Sequence, residues 1–218
     1  LRDARVLLVG VGGLGSASLP YLVGAGVGTV GMADPDKVEI SNLHRQVIYA
    51  TNEAGRLKVD RAAASASRLN PSVQVETHAL AVDESNVDRL VSSYDLVIDG
   101  TDSLEVKFLL NAACRRHGKP LITASIHRFE GHLMTVLPDG PCLRCLFPMQ
   151  PHDGCVGNCA QTGVLGVVPG LFGILQALEA IKVIVGFSEP LSKEMMLFDL
   201  KTLQTMNVKR SRRDGCPG

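Results

Sequence analysis

The chain has 218 residues, of which 45% are hydrophobic, enough for one sizeable core and short for two comfortable domains. Its 22 basic residues balance 22 acidic ones, so no polybasic field favours nucleic acid or anionic lipid. A single domain over residues 1–218 is therefore expected, and nucleic acid is a poor first guess as partner.

The chain opens on Leu1, and the apolar stretch that follows at 6–9 is far too short for a signal peptide. The N-terminal segment is expected to be trimmed. Residues 5–9 form a β-rich run that meets Gly10, Gly12, Gly13 and Gly15, after which 17–26 reads as a helix ending in glycine. Pro20 would clash one turn back, which predicts a kink or a helix starting later than Gly13. A second apolar run, 29–33, ends at Asp34.

Between Asp34 and Lys58 the chain turns polar, where a plain βαβ repeat would already have begun another helix, so this stretch is a functional insertion candidate. Helices are then expected at 58–69 and 86–91, and strands at 73–80 and 96–99. A helix at 104–117 is stopped by Gly118 and Pro120, a strand follows at 121–124, and the alternating run 128–137 is expected to turn antiparallel. A long helix at 171–185 and a hairpin from 195–198 and 203–208 close the chain. The apolar region 164–187 carries Gln176, Glu179 and Lys182 on one helical face, costly in lipid, which argues for a buried helix and no membrane span. The fold class expected is α/β: a Rossmann-like, mainly parallel sheet with helices on both faces, continued by antiparallel strands and a C-terminal helix plus hairpin.

The glycine run 10–15 sits at a strand-to-helix turn, where missing β-carbons let backbone N–H groups approach phosphate oxygens. Asp34, about 20 residues downstream, is placed to accept hydrogen bonds from ribose hydroxyls. Those features serve NAD and ATP equally. Asn42, Arg45 and Lys58 add one amide and two fixed cations, more phosphate-directed charge than a dinucleotide diphosphate requires, and this favours a triphosphate. Asp99 and Asp102 end the buried strand 96–99, where ligands of open α/β sheets collect, and an acid there can hold magnesium; Asp102 could equally cap the helix that follows.

The ordered set Val6-Leu-Leu-Val-Gly-Val-Gly-Gly-Leu-Gly15, Asp34-Pro-Asp36, Ser41-Asn-Leu-His-Arg-Gln46, Lys58, Asn70-Pro71, Thr101-Asp102 and Gln176-Ala-Leu-Glu-Ala-Ile-Lys182 resembles the MoeB/ThiF/HesA relatives of ubiquitin-activating enzymes across nearly the whole chain. The resemblance implies ATP- and magnesium-dependent adenylation of the C-terminal glycine of a ubiquitin-like sulfur-carrier protein ending in Gly-Gly, giving acyl-adenylate and pyrophosphate ahead of sulfur transfer. By that similarity Gly10, Gly12, Gly13 and Gly15 form the phosphate loop and Asp34, with Asp36, serves the ribose side. Asn42, Arg45, Gln46 and Lys58 serve the phosphates, and Asp102 holds magnesium beside Ser103. Ser103 stands where relatives commonly carry asparagine. A homodimer, a sulfurtransferase or cysteine desulfurase as sulfur donor, and a cytoplasmic location are implied with it.

Six cysteines, five of them from 142 onward (142, 145, 155, 159 and 216), suggest metal or thiol chemistry in a reducing compartment. Cys142-Leu-Arg-Cys145 follows an apparent hairpin, a setting suited to a zinc knuckle and unlike a thioredoxin motif at a helix start. The resemblance implies a second C-x-x-C, of which Cys216 is the first cysteine, so a zinc tetrathiolate is expected with the C-terminal tail truncated before its fourth ligand. Cys159, ahead of Ala160-Gln-Thr-Gly163, matches the family cysteine that handles carrier sulfur or acyl groups and is a candidate nucleophile alongside the catalytic set Arg45, Lys58 and Asp102. Two alternatives stay open at this point: an NAD-dependent oxidoreductase, and a non-catalytic zinc-stabilised module that binds a ubiquitin-like protein.

Overall fold

The computed structural model describes residues 1–149 and 163–216. In chain order these form β1 (Arg5–Val9), α1 (Gly13–Gly24), β2 (Thr29–Ala33), α2 (Lys58–Leu69), β3 (Gln74–His78), α3 (Val87–Ser92) and β4 (Leu96–Asp99). There follow α4 (Leu104–Arg116), β5 (Leu121–His127), β6 (Glu130–Val136), the one-turn α5 (Leu143–Leu146), α6 (Val167–Val185), β7 (Glu194–Asp199) and β8 (Gln204–Lys209).

The eight strands make one sheet in the order β3-β2-β1-β4-β5-β6-β7-β8. The pairs from β3 through β5 are parallel. Those from β5 to β8 are antiparallel. The period-2 alternation of β1 explains the two-sided packing: Val6 and Leu8 face one apolar cluster with residues of α1, α2 and α6, whereas Leu7 and Val9 face a second with residues of α3 and α4. Strand order reverses direction between β1 and β4, and a crevice outside the carboxyl ends of these strands is the position open α/β sheets use for ligands.

Helix α1 begins at Gly13 and runs through Pro20, so of the two expected outcomes, a kink or a later start, the later start is not observed. The hydrogen bond that proline cannot make is offset by packing. Gly173 of α6 lies so close that an added β-carbon would stand 2.2 Å from the Leu14 carbonyl oxygen. Ser18 Oγ donates to Gly173 O at 2.8 Å in the same seam. Tertiary contact here overrides local propensity.

Helix α6 is long and apolar enough, by length and composition, to cross a membrane. Its polar side chains nevertheless bond within the fold: Gln176 Nε2 donates to Asp99 O at 2.6 Å, and Glu179 Oε2 accepts from Thr135 Oγ1 at 2.7 Å and from the Leu191 amide at 2.6 Å.

Candidate functional site

Two glycines set the geometry of the crevice floor. Gly10 has φ of +85°, in the region that favours glycine, and a β-carbon there would stand 2.9 Å from the Gly100 backbone. Gly15 tolerates none either, because its β-carbon would fall 2.0 Å from Gly10 O. The turn after β1 and the turn after β4 are thereby pressed together, with the start of α1 directed at the space they share. The first-turn amides of α1 carry no acidic side chain, which leaves that positive helix end available to an anion.

Asp34, at the end of β2, is 5% exposed. Its Oδ2 accepts from the Val11 amide at 2.9 Å and its Oδ1 from the Asp36 amide at 2.8 Å. An ionised carboxylate has about four acceptor sites, so two remain for ribose hydroxyls. Burial pushes this carboxyl above its ordinary range, while the nearby Lys58 ammonium and the two amides pull it partly back. Tyr49, buried beneath the loop, donates to Val11 O at 2.8 Å and fixes the same turn from the insertion side.

The insertion folds over the glycine loop as two short 3-10 turns, Ile40–Asn42 and Thr51–Glu53. It carries Arg45 to the loop, where Cδ would lie 3.7 Å from a β-carbon at Gly13. The guanidinium donates to Asn42 Oδ1 at 2.5 Å and pairs with His44 Nε2 at 2.8 Å, so its direction is set by two neighbours. Gln46 is buried, its Nε2 would be 3.6 Å from a β-carbon at Gly12, and its Oε1 has no partner among the described residues. An orphaned buried amide oxygen beside a glycine loop is what a missing ligand or water leaves. Lys58, the first residue of α2, is 4% exposed and its Nζ bonds Asp36 Oδ2 at 2.8 Å.

On the other side of the crevice, Asp102 is exposed on the turn after β4 and has no protein partner among the described residues. The cap of α4 is Ser103, whose Oγ accepts from the Val106 amide at 3.3 Å, and not Asp102. Asp102 is thus left available for another ligand. Asp99 points elsewhere. It is fully buried and accepts from Lys107 Nζ at 2.8 Å, Thr123 Oγ1 at 2.6 Å and Thr101 Oγ1 at 2.7 Å. Sequence reading singled out Asp99 but missed Lys107 and Thr123, because nothing local marks a lysine eight positions on in a helix as the partner of a strand carboxylate.

The second cluster lies on the same side of the sheet as α4. Cys142, Cys145 and Cys216 place all three sulfurs within 4.8 Å of one another. Cys142 Sγ is 3.8 Å from Cys145 Sγ and 3.7 Å from Cys216 Sγ. Zinc–sulfur bonds of about 2.3 Å at tetrahedral angles put sulfurs roughly 3.8 Å apart, so the two distances from Cys142 have the spacing of a tetrahedral thiolate site. The C-x-x-C straddles the start of α5, contrary to the expectation of a setting away from a helix start. Amides of that turn and of Arg213 act on the Cys145 sulfur, and with the neighbouring thiols they outweigh burial and lower it to about 7, while burial pushes the Cys142 thiol up. Cys155 and Cys159 lie outside the described residues.

Two cavities lie elsewhere. One of about 480 Å³ is lined by Leu137, Lys182, Phe187 and Pro190, and one of about 380 Å³ by Leu19, Pro20, Val47 and Leu69. Neither is lined by the glycine loop.

A family model described as the ThiF family matches residues 1–218. The SAMP-activating enzyme E1 of Haloferax volcanii is 43% identical over 217 residues, a match covering 100% of this chain and 80% of that protein. The sulfur carrier protein adenylyltransferase of Thermus thermophilus is 42% identical over 225 residues, covering 100% of this chain and 82% of its own. Adenylyltransferase and sulfurtransferase MOCS3 of Culex quinquefasciatus is 43% identical, and the chain spans 50% of its length. Among solved structures, E. coli MccB with ATP superposes with a TM-score of 0.83 over 99% of this chain and 66% of that one; at 20% identity the likeness concerns the fold.

Proposed function

The chain belongs to the ThiF family, and from that premise we propose that it uses ATP to adenylate the C-terminal glycine carboxylate of a ubiquitin-like sulfur-carrier protein. The reading is supported most directly by one juxtaposition at the β1/β4 switch point: the glycine loop is bonded to Asp34, approached by Arg45 and Gln46 of the insertion, and pressed against Gly100 in the turn that leads to Asp102.

In this reading the ribose hydroxyls bond the remaining acceptor sites of Asp34, and the triphosphate lies along the start of α1. A carboxylate oxygen of the carrier tail attacks the α-phosphorus; the bond from that phosphorus to the bridging oxygen breaks, and pyrophosphate leaves with the electron pair. Arg45 and Lys58 offset charge on the phosphates, and Asn42 and His44 hold the Arg45 guanidinium in place. Asp102 supplies a carboxylate for Mg²⁺, which when bound neutralises phosphate charge. Its exposure and its lack of a protein partner among the described residues fit that role. No protein nucleophile is required for this step, and positioning with electrostatic stabilisation carries the rate, as is general for transfer at phosphorus.

Zinc at Cys142, Cys145 and Cys216 has a structural role in this account, since the cluster lies among core residues on the α4 side of the sheet. A homodimer would cover apolar residues that α6 leaves exposed, such as Leu178 and Val185. Reduced thiols suit a cytoplasmic setting, and the sulfur donor would act after adenylation.

The test is exchange of labelled pyrophosphate into ATP. Exchange is expected only when magnesium and a carrier ending in Gly-Gly are both present, and Arg45→Ala is expected to lower it by roughly 10²-fold. Carrier-independent behaviour, or nucleotide binding indifferent to Arg45→Ala together with nicotinamide binding, would point to an oxidoreductase instead.

A further inference from the structure

Beneath the crevice lies a buried polar assembly that the proposed chemistry does not use. Asp99 is 0% exposed and Lys107 4% exposed, and their charges sum to zero. Removing two such charges from water is costly, and a pair of this kind is often no more stable than an apolar replacement. A tight turn after β4 could be built with no charge at all. Where the bonds go is therefore informative.

Asp99 Oδ2 accepts from Lys107 Nζ at 2.8 Å and from Thr123 Oγ1 at 2.6 Å. Asp99 Oδ1 accepts from Thr101 Oγ1 at 2.7 Å and from the Thr101 amide at 3.0 Å. Lys107 Nζ makes a further bond to Ala124 O at 2.7 Å, which anchors the ammonium to β5. One carboxylate oxygen is thus fixed by α4 and β5, and the other holds the turn one residue before Asp102. From the opposite face of the sheet, Gln176 Nε2 fixes the Asp99 carbonyl. The only exposed acid on that turn is Asp102, which has no protein partner of its own among the described residues. Its direction is set by the turn beneath it.

We propose that Lys107 is a positioning residue: through Asp99 and Thr101 it clamps the turn that presents Asp102 to the metal of a bound nucleotide, so that nucleotide affinity and magnesium are linked through a side chain that touches neither. This rests on the adenylation reading for the identity of the ligand. It assigns a functional role to a buried ion pair that sequence reading missed.

The consequence is separable from stability. A pair that only holds the fold together would, when broken, lower the melting temperature and leave the ratio of ATP affinities with and without Mg²⁺ unchanged. A clamp on Asp102 alters that ratio. We would measure ATP affinity calorimetrically in the presence and absence of Mg²⁺, with a melting curve for every protein. Lys107→Met is expected to reduce the magnesium-dependent gain by about tenfold and leave magnesium-free affinity near that of the parent. Lys107→Arg, which keeps the charge and can still reach Asp99, is expected to restore much of the gain. Because Lys107→Met strands a buried carboxylate and can prevent folding, Thr101→Val serves as the second variant: it keeps both charges, cuts only the hydroxyl link, and is expected to reduce the gain about threefold. A folded Lys107→Met or Thr101→Val with the parent's full magnesium gain overturns the clamp and leaves the adenylation reading intact. A parent protein that binds ATP no better with Mg²⁺ overturns the assignment of Asp102, and the clamp with it.

Discussion

Arg45 is held by Asn42 and His44 before any nucleotide arrives, so its cost of ordering is already met in the free protein. Arg45→Lys, which keeps charge but loses the planar fork, is accordingly expected to recover only a small part of the exchange rate lost in Arg45→Ala, a difference visible in steady-state kinetics. His132 on β6 carries a different prediction. Burial, reinforced by the Lys107 ammonium, pushes its imidazole down to about 4, although Asp99 opposes this. A histidine held neutral in the folded state and free to protonate when unfolded favours unfolding as pH falls. Its penalty is absent above about 6.5, grows below that, and levels off below the folded value near 4. Urea melts of the parent should therefore weaken from pH 7 to pH 5 more than those of His132→Gln; equal slopes would remove His132 from the account. At this scale legibility followed locality. Asp34 and the glycine run could be read because motif and spacing are continuous in the chain, whereas Lys107, Thr123 and His132 come together only once β4, β5, β6 and α4 have assembled.

Elements were legible where periodicity and punctuation agreed, and less so where packing overruled them. Strands β1, β2 and β4 and helix α2 fall where the sequence places them. Helix α1 does not, because Pro20 argued for a kink or a later start while Ser18 and Gly173 permitted an approach close enough to hold the helix from Gly13. That seam yields a prediction. Gly173→Ala would drive a methyl into the Leu14 carbonyl, and the resulting overpacking is expected to cost about 1–3 kcal/mol in a denaturant melt. A smaller effect is expected at α4, where Ser103→Ala removes the cap at a cost of about 1 kcal/mol, against a negligible change for an uninvolved surface serine. The pairing of Cys216 with the C-x-x-C spans more than 70 positions. It was accessible only through the resemblance, since spacing alone does not select a remote third ligand. If these thiols hold zinc, Cys145→Ser should lower the bound-zinc stoichiometry and the melting temperature together, and a chelator should destabilise the parent more than the variant.

For the whole molecule, fold class was the most legible property, because alternating strand and helix signals leave few solutions besides a parallel sheet covered on both faces. The switch point between β1 and β4 is the position open α/β sheets use for ligands, and the glycine loop and the turn after β4 meet there. The formal net charge of zero implies that recognition of a protein partner depends on local surface features, with little long-range steering. Salt is accordingly expected to alter carrier binding less than it would for an oppositely charged pair, and the dependence of association rate on ionic strength checks this. The central claim concerns the bond formed at the end of the carrier tail. Intact-mass spectrometry of a Gly-Gly-ended carrier, incubated with the enzyme, ATP and Mg²⁺ and quenched in acid, tests it most directly. The account predicts an AMP adduct on the C-terminal glycine that disappears when Asp102→Ala replaces the parent enzyme. A carrier that stays unmodified while the folded parent enzyme binds ATP would contradict it.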